Sequence, residues 1–187
     1  MSETPSLTNH FLIAMPALAD PNFSHTVTYI CEHNDKGAMG IVINRPLELT
    51  LGEVLEHMQI TPGQKVEVKR PVLAGGPVQG EHGFVLHTPV GKWSSSLPIT
   101  DDIAVTTSRD ILMAMADGKG PERFLVALGY AGWGAGQLEQ EMANNAWLSG
   151  PADPHVLFDL PLDQRWTAAA ALLGIDLNLL STEVGHG

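Results

Sequence analysis

Cysteine is nearly absent: Cys31 stands alone in 187 residues. One thiol rules out an intramolecular disulfide framework and a multi-thiolate zinc site, and it fits a reducing compartment. Basic residues are scarce too, with 10 Lys and Arg against 21 Asp and Glu and a formal charge of -11. Such a field repels phosphate backbones and anionic membranes, so direct nucleic-acid binding is not expected. The one basic cluster, Lys65, Lys69 and Arg70, reads as a single exposed edge. Long hydrophobic runs are missing: nothing approaches the roughly 20 apolar residues of a membrane-spanning helix. No positively charged segment precedes the short apolar run at 11–15, so no signal peptide is expected and a cytoplasmic location without membrane contact is. Internal repeats, low-complexity tracts and clear linkers are also lacking.

What is present is apolar mass, 44% of residues, enough for one core in one domain spanning 1–187. Its core is expected over about 7–175, with frayed ends at 1–6 and 181–187. Short apolar runs predict strands at 9–14, 25–33, 38–44, 72–74, 84–87, 103–106 and 123–130, with further candidates at 146–148 and 155–158. Asn34-Asp35-Lys36-Gly37 supplies hairpin turn chemistry between the second and third of these. Asp20-Pro21 predicts a helical turn at 21–23. Helices are expected at 51–58, where Thr50 and Glu53 have capping-box spacing, and at 110–117 after Ser108. Two more follow, at 137–143 and, capped by Asp163, at 164–173, with a tail docking through Ile175, Leu177, Leu179 and Leu180. Hairpins mixed with strand-helix-strand units favour an α+β class with a mixed sheet.

The glycine-rich segment 129–136 lies between a strand and a helix, where phosphate-cradling loops sit. Its spacing fails the Gly-x-Gly-x-x-Gly/Ala fingerprint, since the third position falls on Gln137 or Glu139. Its glycines therefore read as a tight turn that lets backbone approach Trp133. Gly75-Gly76-Pro77 precedes a strand and has no helix start to offer an anion. Eight histidines show no helical ligand pairing, so no metal and no cofactor is expected.

Two constellations remain. Cys31 and His33 alternate on a presumed strand and so leave one face about 7 Å apart, a candidate nucleophile and base, or else an inert small hydrophobe beside a structural histidine. Asn44-Arg45-Pro46 holds an extended arginine after a strand, either a clamp for carboxylate or phosphate or a partner of an acidic side chain such as Glu48.

Several ordered motifs resemble the AlgH/YqgE family of bacterial proteins: Leu12-Ile13-Ala14-Met15-Pro16, Tyr29-Ile30-Cys31-Glu32-His33, Gly37 to Pro46, Gly75-Gly76-Pro77-Val78, and Gly129-Tyr130-Ala131-Gly132-Trp133. Gln137-Leu138-Glu139, Glu141 and Asn145-Ala146-Trp147 extend the match, which runs from about residue 7 to 175. The resemblance implies an α+β fold of mixed, bulged and bifurcated sheets with about four peripheral helices, in a cytosolic protein. It implies no particular reaction, and its regulator label comes from alginate control. Three functions follow as expectations. The first is an interaction or regulatory module that binds a protein or small anionic ligand through Asn44, Arg45, Gly75, Gly76, Gly132 and Trp133. The second is a thiol-dependent hydrolase or transferase using Cys31 with His33. The third, a nucleic-acid-linked transcriptional regulator, is disfavoured by charge.

Overall fold

A computed structural model describes residues 6–18, 20, 21 and 23–177. Leu179, Leu180 and the two ends expected to fray lie wholly or largely outside that range. The chain opens with strands β1 (His10–Ala14), β2 (Val27–Asn34) and β3 (Gly37–Val42), β2 and β3 forming the expected hairpin with Asn34 opposite Gly37. In the turn ahead of β2 the Ser24 amide donates to the Asp20 carbonyl at 2.8 Å; Asn22, within the helical turn expected at 21–23, lies outside the described residues.

Strand β4 (Pro46–Thr50) leads into helix α1 (Leu51–His57), which starts as the sequence requires. The Thr50 hydroxyl accepts from the Glu53 amide, and the Glu53 carboxylate accepts from the Thr50 amide. Next come β5 (Pro71–Ala74), the long β6 (Val78–Thr88), β7 (Ser96–Pro98), β8 (Ala104–Thr106) and helix α2 (Arg109–Ala116). Strand β9 (Arg123–Gly134), helix α3 (Gln137–Ala143), β10 (Trp147–Pro151) and helix α4 (Arg165–Ala171) complete the order.

Strand β9 is the shared stave. One of its edges pairs antiparallel with β6, and the other pairs first with β5, in parallel, and then with β3. The main path runs β10-β1-β2-β3-β9-β6-β8-β7, with β5 and β4 branching off β9, which is the bifurcation expected. Two backbones meet where the sheet divides. A Cβ on Gly75 would overlap the Gly129 carbonyl oxygen, one on Gly76 the Tyr130 carbonyl, and one on Gly129 the Gly76 carbonyl oxygen. Glycine is the side-chain-free residue that permits this approach.

Both faces of the sheet are covered, which is why its strands read as continuous apolar runs. Phe11, Tyr29, Ile41, Leu86 and Leu125 cluster with Val156, Leu157 and Phe158 and with Ala169 and Ala170 of α4, while Val72, Val85 and Val126 cluster with Leu51 and Leu55 of α1 and Ile111 and Met115 of α2. Leu12, Ile30, Trp133 and Trp147 form a third cluster with Leu138 of α3.

Five local expectations are corrected. Residues 131–134 continue β9 instead of looping, because β3 pairs with them. Residues 155–158 form a π-helical turn, His155–Asp159, that buries Val156, Leu157 and Phe158 between Pro154 and Pro161; a short apolar run does not distinguish such a turn from a strand. Asp163 lies inside a 3-10 turn, Leu162–Gln164, that leads into α4, so it caps nothing. Ser108 sits at the start of α2, but its hydroxyl donates to the Asp110 carboxylate instead of capping. Arg70 leaves the supposed basic edge: its guanidinium packs 4.3 Å from the Phe124 ring centroid and donates to the Phe124 carbonyl.

Candidate functional site

The Cys31 and His33 side chains do not share a face. Strand β2 pairs Ile30 with Gly40 and Glu32 with Met39, so Cys31 is the extra residue of a bulge. One inserted residue reverses the alternation that follows it. The thiol points into the cluster of Phe11 and Tyr29, buried, with its pKa pushed far up by loss of solvent and secondarily by Glu32. His33 turns toward α3, where its Nε2 lies 3.0 Å from Glu139 Oε1. Its Nδ1 accepts from the Leu7 amide at 2.9 Å, which makes Nε2 the protonated nitrogen and occupies the lone pair a general base would use. The hydrogen bond from His33 holds the Glu139 carboxyl below its ordinary value. Native Cys31 is accordingly expected to react with iodoacetamide at pH 8 about a hundredfold more slowly than in urea. Equal rates, followed by mass spectrometry, would contradict this burial.

Asn44 and Arg45 are occupied by the turn that precedes β2. Asn44 accepts from the Val27 amide and donates to the His25 carbonyl, both at 3.0 Å. Arg45 donates to the carbonyls of Pro21 at 2.7 Å and Ser24 at 2.9 Å, in place of the carboxylate partner considered from sequence. Trp133 and Trp147 both donate through Nε1 to Glu141 Oε1, at 3.0 and 2.9 Å, and Phe23 packs edge-on to Trp147.

Open surface lies elsewhere, on the two sides of the β6 tip. The larger cleft, about 1040 Å³, runs between α1 and α2 over β6 and β9, with Val85, Val126 and Leu128 in its lining. Half-buried Val54, Met58 and Leu112 form its apolar walls, and exposed Glu53, Glu56, His57, Glu81, His82 and Arg109 its rim. A second cleft of about 750 Å³ lies beside the β2–β3 hairpin, and His82 and Phe84 belong to both. Gly132 and Trp133 line the second cleft; Asn44, Arg45, Gly75 and Gly76 line neither. Among the described residues no three His, Cys, Asp or Glu side chains gather as metal ligands. No helix there is long and apolar enough to cross a membrane.

A family model described as AlgH-like matches residues 11–178. The chain belongs to the AlgH-like family. Relatives of this AlgH-like chain include a UPF0301 protein of Thioalkalivibrio sulfidiphilus, 64% identical with all of both chains covered. Another, from Nitrosococcus oceani, is 60% identical over 95% of each chain. The solution structure of the AlgH protein from Pseudomonas aeruginosa matches with a TM-score of 0.80 and 52% identity, covering 97% of this chain and 96% of that one. A Corynebacterium diphtheriae protein shares the fold at a TM-score of 0.75 and 18% identity, covering 97% and 94%.

Sequence reasoning missed the walls of the AlgH-like cleft, although α1 carries a signal. Leu51 and Leu55 are its buried residues, and Val54 and Met58, half-buried and packed against the same cluster, extend its apolar face toward the cleft. It also missed His87, a fully buried imidazole whose Nδ1 lies 2.9 Å from the Pro89 carbonyl oxygen and whose Nε2 lies 2.7 Å from the Thr106 hydroxyl. Burial lowers the His87 pKa, so the native state keeps it neutral. Above about pH 6.5 the unfolded imidazole is neutral as well, and stability is at its full value. Below it the unfolded chain takes a proton that the native chain refuses, and stability falls by up to about 1.4 kcal/mol per pH unit until the depressed native pKa is reached. Glu139 and Asp110, both held low by hydrogen bonds, lose their contributions only below about pH 4.5, so the windows separate. Urea unfolding between pH 5.5 and 7 is expected to show a flatter slope in His87→Asn than in the parent chain; matching slopes would contradict this assignment.

Proposed function

We propose that this AlgH-like protein is an interaction module whose ligand enters the cleft between α1 and α2. The observation that carries this reading is the division of labour among the conspicuous residues. Cys31, His33, Asn44 and Arg45 are engaged inside the fold, and Gly75 and Gly76 in backbone packing, whereas Val54, Met58 and Leu112 present apolar surface to solvent between two helices. A concave, mostly apolar site with a few polar groups at its mouth is the usual form of a binding pocket. Nucleophile, oriented base and oxyanion donors do not converge there, which favours binding over group transfer. The regulator label of the resembling family would then act through such contacts, in keeping with a formal charge of -11.

A neutral apolar fluorophore, N-phenyl-1-naphthylamine, tests the reading. Saturable fluorescence gain is expected with the parent protein and at least a tenfold weaker response with Leu112→Lys, whose stem can lie along the wall while its amine blocks the mouth. Equal responses at equal melting temperature would remove the cleft from consideration.

A further inference from the structure

We propose that the occupant of the cleft is a basic amphipathic helix presented by a partner polypeptide. This rests on the reading of the cleft as the binding site and adds the chemistry of what fills it.

The deep floor offers no backbone to a peptide. At Val85 strand β6 is paired with β8 on one edge and β9 on the other, whereas its edge at 80–84, toward the mouth, has no β8 partner. Against the apolar walls recognition is by side chains, which suits a segment that satisfies its own backbone hydrogen bonds. A helix about 10 Å across does so, and it can lay residues at i, i+3, i+4 and i+7 against Val54, Met58 and Leu112.

The rim sets the sign. Three carboxylates, Glu53, Glu56 and Glu81, face one guanidinium, Arg109. Glu53 is tied to Thr50 by the capping box, while Glu56 and Glu81 are exposed and take part in none of the described side-chain hydrogen bonds or ion pairs. A small anion is poorly served even at the start of α2. Asp110 already stands in its first turn, accepting from Ser94 and Ser108. Lysines or arginines flanking an apolar stripe match this arrangement, and the charge of the whole molecule would speed their approach.

Three peptides of about 18 residues, roughly five helical turns, test the inference by titration into the full-length isotope-labelled protein. One is an amphipathic Leu/Lys sequence, one its Leu/Glu counterpart, and one a Leu/Lys sequence scrambled to destroy the stripe. The first is expected to shift resonances of Val54, Met58 and Leu112 saturably and to bind at least tenfold more weakly to the double variant Glu56→Lys, Glu81→Lys. Both substitutions are exposed and should leave the melting temperature unchanged. Equal binding by the scrambled peptide would reduce the effect to bulk charge and overturn the proposal, as would equal binding by the Leu/Glu peptide. If no peptide moves the cleft resonances while the neutral fluorophore still binds there, the helical occupant is wrong and the binding cleft survives. If neither binds, both readings fall.

Discussion

Replacing Gly76 by alanine is expected to cost about 2–5 kcal/mol and to leave little soluble folded protein. The added methyl would overlap the Tyr130 carbonyl and the Ala131 amide nitrogen, and these are backbone atoms of β9, which cannot turn aside as a side chain could. Gly76 also has a φ of +155, a region L-residues seldom enter. Overpacking of a close-packed interior costs about 1–3 kcal/mol, occasionally more, and unfavourable backbone adds about 1–2. Gly118, with φ +75 and no atom within 4 Å of its would-be Cβ, is the control. Its alanine variant suffers the backbone term alone and should lose about 1–2 kcal/mol. Chemical denaturation of the two variants measures the difference, and equal losses would show that the β5–β9 approach is looser than described.

The second large effect is at Arg165, a charged side chain only 5% exposed. Its Nη1 donates to the Ile43 carbonyl at 2.7 Å and its Nε to the Leu160 carbonyl at 3.0 Å, tying α4 to the end of the β3 segment. Burial, and secondarily Arg70, lowers its pKa to about 10, so it remains charged at neutral pH. Arg165→Met keeps much of the length and apolar contact but orphans two carbonyls. An abandoned buried acceptor costs about 1–3 kcal/mol, so a loss of about 3 kcal/mol is expected, equivalent to a melting-temperature fall of about 6–12 °C for a chain of this size. Arg165→Lys, able to reach one carbonyl, should fall between. A methionine variant as stable as the parent would mean that the arginine is retained for some purpose other than joining these elements.

What could be read from the sequence was what the chain decides locally. The Asn34–Gly37 turn and the Thr50–Glu53 box involve residues within four positions of each other, and both form as their chemistry dictates. The motif resemblance gave the bifurcated sheet, and its paired glycines at 75, 76 and 129 are the residues that permit the division. The candidate site was harder to read because one inserted residue decides it. Period-two counting puts Cys31 and His33 together, and the bulge at Cys31 separates them. Arg45 invited a carboxylate partner by charge alone, but the groups within its reach are carbonyls of a turn more than twenty positions earlier in the chain. The cleft draws its walls from α1, β6 and α2, which are far apart in sequence, and its Val54, Met58 and Leu112 look like ordinary core positions until the two helices are seen to stand apart.

The footprint of the bound neutral fluorophore, mapped by chemical-shift perturbation on the isotope-labelled protein, bears most directly on where this fold meets its ligand. The account predicts perturbations concentrated at Val54, Met58, Gly83 and Leu112, with Asn44, Arg45 and Gly76 unmoved. Perturbations centred on Arg45 and the 20–25 turn, with the α1–α2 cleft silent, would contradict it.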